Sequence, residues 1–223
     1  MYPIFLAFHI LAGTVSLITG CIAMFSKKGG PLHLRMGKIY YIAMISVVVS
    51  AALIQFVRFN PFLLLIAFFT FYFVYMGKRV LTYKGRTNEV ESRDIYVILA
   101  MFCLGLLMIA YSFIGRILPT VMQIFGIGAM IQSAIDFRKY KRDDKAKNWW
   151  LKEHIGKIGG SYIAATTAFV VVNAYRILPE PIPEFIQVMV WIGPGFIGNF
   201  FIIYAVRKYS GKRKQRKSVL ETA

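Results

Sequence analysis

The stretch WWLKEHIGKIGGSYIAATTAFVVVN, residues 149–173, changes character partway along. Behind two tryptophans its first part carries Lys152, Glu153, His154 and Lys157; the rest has no charge at all. A charged, tryptophan-bearing segment followed by an uncharged run reads as a helix entering a hydrocarbon layer, with Trp149, Trp150 and Lys152 at headgroup level. Gly160, Ala164 and Ala168 recur at every fourth position, with Ser161 and Ala165 beside them. Such a row of small residues is the face through which membrane helices approach one another.

The rest of the chain repeats the pattern. Its 223 residues are 57% hydrophobic and 16% aromatic, with a mean hydropathy of +0.58. That is more apolar surface than one soluble core of this size can hide from water. Seven stretches, near residues 2–25, 38–57, 61–80, 95–115, 118–136, 156–178 and 184–206, reach the roughly 20 residues a spanning helix needs. The expected fold is all-α, a seven-transmembrane-helix bundle over residues 1–206 with a basic tail over 207–223. The first stretch reads as a permanent span, since Met1 to Leu11 lacks the Lys or Arg of a secretory leader and Cys21 to Phe25 offers no cleavage site. Cys21 and Cys103 both fall inside spans, which leaves neither a disulfide framework nor a CxxC pair.

A formal charge of +17 raises the question of nucleic acid, and the placement of the basic residues answers it. With the N-terminus outside, the inner segments hold Lys27, Lys28, Arg35 and Lys38, then Lys78, Arg79, Lys84, Arg86 and Arg93, then Arg138 to Lys157, then Arg207 to Lys217. Only Arg58, Arg116 and Arg176 remain outside. The positive-inside rule accounts for this asymmetry with the N-terminus outside and the C-terminus cytoplasmic, and no nucleic-acid partner is needed. The tail RKYSGKRKQRK, residues 207–217, is expected to lie against anionic lipid headgroups.

Polar groups inside spans cost free energy unless they are paired, so they mark candidate sites. A cytoplasmic layer holds His33, Asp136 and His154, with Gln132 one turn from Asp136 and Asn199 nearby. Two imidazoles and a carboxylate from three helices form a ligand set used by iron, and by zinc with an open position. His33 and His154 are also the only histidines at matching depth, as bis-imidazole haem ligation requires. Gly37, Gly156, Gly159 and Gly160 leave room for a macrocycle, and Lys28, Arg35, Lys38 and Lys157 suit propionates. The competing reading has both histidines at the interface among lysines and Asp136 paired with Arg138 or Arg35.

An outer layer holds His9, Asn173 and Gln123, with Gln55 and Gln187 at similar depth. His9 is expected to bond Asn173 or a glutamine, with Gly13 providing space. Gly193, Pro194 and Gly195 fall mid-helix, where proline removes a backbone donor and favours a kink or hinge. Nothing in the chain resembles a nucleotide loop, a Ser-His-Asp order or a paired-carboxylate site.

These residues also carry a resemblance. His9, the His33-x-Arg35-x-Gly37 turn, Asp136-Phe-Arg138, and Trp150-x3-His154 leading to Tyr162-Ile-Ala-Ala165-Thr-Thr-Ala-Phe169 and Asn173 resemble the domain-of-unknown-function family numbered twenty-three oh six, a group of prokaryotic multi-pass membrane proteins. The resemblance spans nearly the whole chain, and it implies a bacterial inner-membrane setting with these positions as candidate site residues. It implies no activity. The sequence thus supports a metal- or haem-binding membrane protein first, a small-solute transporter using the outer pocket and the Gly193–Gly195 segment second, and a scaffold without a site third.

Overall fold

The computed structural model describes residues 1–85, 90–115, 118–146 and 148–221, with side chains as far as Tyr209. Arg86, Arg116, Lys147 and the basic side chains from Lys212 onward lie outside the described residues, so the charge asymmetry at those positions rests on sequence. Seven α-helices and one 3-10 turn account for the regular structure, with no strand among the described residues. They are α1 (Tyr2–Phe25), α2 (Pro31–Gln55), α3 (Pro61–Arg79), α4 (Ser92–Ile114), α5 (Pro119–Lys141), α6 (Trp149–Ile177) and α7 (Glu184–Glu221), with the turn η1 (Val80–Tyr83) after α3. All seven helices are long and apolar enough to cross a membrane, which makes this a multi-pass membrane protein.

The helix starts follow local chemistry. Proline occupies the first turn of α1, α2, α3 and α5, where its missing N–H costs nothing. At α3 the Asn60 side chain also accepts a hydrogen bond from Leu63 N at 3.2 Å. Two helices begin earlier than hydropathy alone suggests, α2 at Pro31 and α6 at Trp149, because charged residues continue the helix beyond its apolar part. His33 and His154 are therefore helical, each within the first two turns. α7 stays helical straight through Gly193-Pro194-Gly195, so the expected hinge is not an unwound segment.

α1 pairs with α2, α4 with α5 and α6 with α7, while α3 and α6 meet at the centre. Two close approaches depend on glycine. At Gly77 a Cβ would come within 2.8 Å of Ile158, which lets α3 and α6 touch. Gly105 and Gly126 bring α4 and α5 together so tightly that a Cβ on Gly105 would stand 2.7 Å from the Gly126 carbonyl. On α1, Gly20 packs on Tyr162 of α6 and Tyr40 of α2.

The main core runs through α3, α4, α5 and α6, and it includes Trp149 and Trp150. These two side chains are 9% and 8% exposed and lie among Tyr83, Tyr140 and their neighbours, not in an outward-facing belt. The sequence reading of them as surface anchors is corrected here: Tyr83 and Tyr140 give the Trp149 ring aromatic partners inside the bundle, and Trp150 is buried in the same core.

Candidate functional site

Connections alternate from end to end, so the α1–α2, α3–α4 and α5–α6 links and the tail gather at one end, called here the basic end. Two polar constellations sit just inside it. The first is made of imidazoles. His33 Nδ1 lies 2.9 Å from the Ala23 carbonyl in the last turn of α1, and His154 Nδ1 lies 2.8 Å from the Gly77 carbonyl in the last turn of α3. Terminal carbonyls of a helix lack intrahelical donors, and each ring supplies one. Since a carbonyl only accepts, Nδ1 carries the proton in both rings and Nε2 keeps its lone pair in the neutral state.

His9, toward the other end, repeats the arrangement: its Nδ1 is 2.9 Å from Ser50 Oγ and 3.1 Å from the Val47 carbonyl. Ser50 Oγ already donates to Ser46 and Val47 carbonyls, which leaves the Nδ1 proton to His9. All three histidines thus share one tautomer. His33 and His154 also lie within electrostatic range of each other, with Lys28 and Lys78 close by. Gly13 and Gly37, one turn beyond His9 and His33, and Gly156, two residues beyond His154, have nothing within 4 Å of an added Cβ.

The second constellation is a ladder of charges. Lys157 Nζ reaches both oxygens of Asp136, at 2.7 and 2.6 Å, and Glu153 Oε2 at 3.5 Å. Lys139 Nζ closes on Glu153 Oε1 at 2.6 Å. Tyr72 Oη donates to Asp136 Oδ2, and Gln132 Nε2 donates to Asp136 Oδ1 at 2.9 Å. Asp136 is fully buried, Lys157 and Glu153 nearly so, while Lys139 reaches solvent with 46% of its side chain exposed. Behind the ladder, Arg79 binds Asp94 at 2.9 Å and Glu91 at 2.6 Å, and Tyr83 Oη donates to Asp94. The Arg79 hydrogen bond holds the Glu91 carboxyl below the ordinary carboxylate range.

Several expectations are corrected by this geometry. Asp136 pairs with Lys157, not with Arg138 or Arg35, and Lys157 is committed to that carboxylate instead of awaiting a propionate. Among the described residues no three of His, Cys, Asp or Glu are grouped so as to hold a metal ion, so His33, His154 and Asp136 do not form a three-ligand centre. The outer polar residues find local partners. His9 bonds α2; Asn173 Nδ2 donates to the Phe169 carbonyl at 2.7 Å; Gln55 accepts from Asn60 N at 2.7 Å; Gln187 Nε2 donates to the Ile182 carbonyl at 2.7 Å. Gln123 is half-buried on α5. Among the described residues no hydrogen bond joins His9, Asn173 and Gln123 in a common pocket, and Asn199 is exposed on α7, bonded to its own Gly195 carbonyl at 2.8 Å.

Sequence reading missed Tyr72, Lys139, Glu153 and Lys157 as a unit. One signal was available: Glu153 and Lys157 stand four apart inside a helix that becomes a span, and an acid there needs a base. No family model, curated protein or solved structure matches the chain.

Proposed function

We propose that the protein binds a haem near its basic end, where His33 and His154 would hold it through Nε2. The observation that carries this reading is the shared tautomer. Each imidazole is oriented through an Nδ1–H bond to a backbone carbonyl, the outer-shell contact that fixes metal-ligating histidines and raises their basicity. The open space at Gly37 and Gly156 and the nearby Lys28 and Lys78 suit a flat macrocycle with carboxylate tails. A bound haem supplies one-electron chemistry, and a bis-imidazole centre suits electron transfer within the bilayer. Asp136 has no part in the ligand set, because Lys157, Tyr72 and Gln132 occupy its oxygens.

The setting completes the proposal: a bacterial inner membrane, with the N-terminus outside, the basic end cytoplasmic and the tail against anionic headgroups. Support for it comes from the charge distribution and from the family resemblance, which rests on the quoted residues alone.

The test is an absorption spectrum and elemental analysis of detergent-purified protein from haem-replete cells. We expect a reducible low-spin haem band at one haem per chain, lost or converted to high spin in His33→Ala and in His154→Ala, and unchanged in His9→Ala. Folded protein that stays colourless in haem excess overturns the reading, and stoichiometric metal without a haem band would replace haem by a metal ion.

A further inference from the structure

We propose that the groove between α4 and α5 at the basic end is a binding site for one anionic phospholipid, with an acyl chain along Ala134 and the phosphate at Arg138 and Lys141. This does not rest on the haem reading. It is also distinct from the attraction of the tail to headgroups, because the groove has a shape.

The groove, of about 270 Å³, has Leu99 and Phe102 of α4 on one side and Ser133, Ala134, Phe137 and Arg138 of α5 on the other. Its depth follows from the helices. Phe102 lies ten residues after the start of α4 and Arg138 three residues before the end of α5, so at about 1.5 Å per residue the groove runs from near the helix ends to about 15 Å inside. That is about half of a 30 Å hydrocarbon core, the depth of one leaflet.

The inner part of the groove suits an alkyl chain. Ala134 is small and exposed between the larger Leu99, Phe102 and Phe137, and that difference in size makes the slot. Ser133 donates its hydroxyl to the Ile98 carbonyl at 2.6 Å and is 2% exposed, so it offers a ligand no free polar group. Hydrocarbon and aromatic surface remain, which a polar solute gains nothing by covering.

The outer part selects the headgroup. Of the basic residues on α4 and α5, Arg93 binds Glu91 at 2.7 Å and Lys139 binds Glu153 at 2.6 Å. Arg138 and Lys141 are both exposed, and among the described residues neither stands within ion-pair distance of a carboxylate. Lys141 Nζ lies 5.9 Å from the Phe137 ring centroid, one turn back along α5, which holds the ammonium over the groove wall. Two cations without a protein counter-charge at the mouth of an apolar slot are complementary to a phosphate joined to a hydrocarbon chain. Arg138 can meet two phosphate oxygens at once, and Lys141 adds a point charge. Basic pockets between spanning helices hold acidic headgroups in this way. A zwitterionic lipid fills the slot equally well but brings its own ammonium toward the same two cations, and so loses the preference.

Native mass spectrometry of the detergent-purified full chain, mixed with equal amounts of chain-matched phosphatidylglycerol and phosphatidylcholine, reads the site. We expect one phosphatidylglycerol retained per chain, about tenfold over phosphatidylcholine, from two cations near the headgroup. Arg138→Gln with Lys141→Gln should bring the two lipids level. Lys212→Gln with Arg213→Gln removes the same charge from the tail and should leave the preference in place. Ala134→Leu keeps both cations, fills the slot and should lower phosphatidylglycerol retention. All these positions but Lys212 and Arg213 are exposed on the helix pair, so the fold survives each change, and a melt checks it. The proposal is overturned if the wild type retains both lipids equally, or if the tail variant loses the preference as fully as the groove variant does. Unchanged retention in Ala134→Leu also overturns it, since the charges would then act without the groove.

Discussion

Lys157 Nζ on α6 stands 2.6 Å from Asp136 Oδ2 on α5, and the two side chains are 3% and 0% exposed. The pair ties the α4–α5 hairpin to the central α3–α6 contact. Breaking a buried pair leaves one uncompensated charge, which costs about 3–5 kcal/mol, whereas replacing both partners by apolar groups is often close to neutral. Lys157→Met should therefore lower stability by about that much, and Lys157→Met with Asp136→Leu should recover most of the loss. Unfolding in mixed micelles measures both, and an equally unstable double variant would show that the pair contributes little beyond packing.

The spans were legible because hydropathy is a property of single residues and a bilayer demands it continuously. Helix starts were less so: Trp149 to Lys157 is charged at Lys152, Glu153 and Lys157, yet helical, because Lys139 and Asp136 on α5 receive the charges of Glu153 and Lys157. Which base answers Asp136 was not legible, since Arg35, Arg138 and Lys157 look alike until packing sets their distances. The histidines were picked out by depth alone. Their common tautomer is a tertiary fact, set by carbonyls of Ala23, Val47 and Gly77 that have no signature in sequence.

The glycines divide into two kinds with opposite expectations. At Gly37 an added Cβ meets nothing within 4 Å, while at Gly77 it would collide with Ile158. Gly77→Ala should destabilise by about 1–3 kcal/mol through overpacking of α3 on α6. Gly37→Ala should gain up to about 1 kcal/mol from helix propensity. If the space beside Gly37 belongs to a haem, Gly37→Leu should keep the fold while lowering haem occupancy. Thermal melts of haem-free protein separate the two effects from cofactor binding.

Glu91 gives the fold a modest acid sensitivity. Its folded pKa is held down by Arg79, so its contribution is fully present above the ordinary carboxylate value and is lost as pH falls through the lower folded value. With 43% of the side chain exposed, salt should screen much of this. Melting temperature should fall with acid more steeply in the wild type than in Glu91→Gln, and the difference should shrink at high salt. An unchanged slope in Glu91→Gln would place the acid response elsewhere.

All three tryptophans are buried, Trp149 at 9%, Trp150 at 8% and Trp191 at 6% exposure, and for Trp149 and Trp150 this separates the structure from the sequence expectation of an aromatic belt. Belt tryptophans touch headgroups and are quenched by lipids brominated near the surface. Trp149 instead meets Tyr140 edge to face, with ring centroids 5.2 Å apart, and Tyr83 at 5.4 Å. Its removal should therefore cost core packing: Trp149→Ala should destabilise by about 3–5 kcal/mol, the range for large aromatics lost from a core. In nanodiscs the intrinsic fluorescence should be blue-shifted and weakly quenched by brominated lipids at every depth. Strong quenching confined to shallow bromines, lost in Trp149→Phe, would return that residue to the membrane surface and remove the aromatic wall from behind Tyr140.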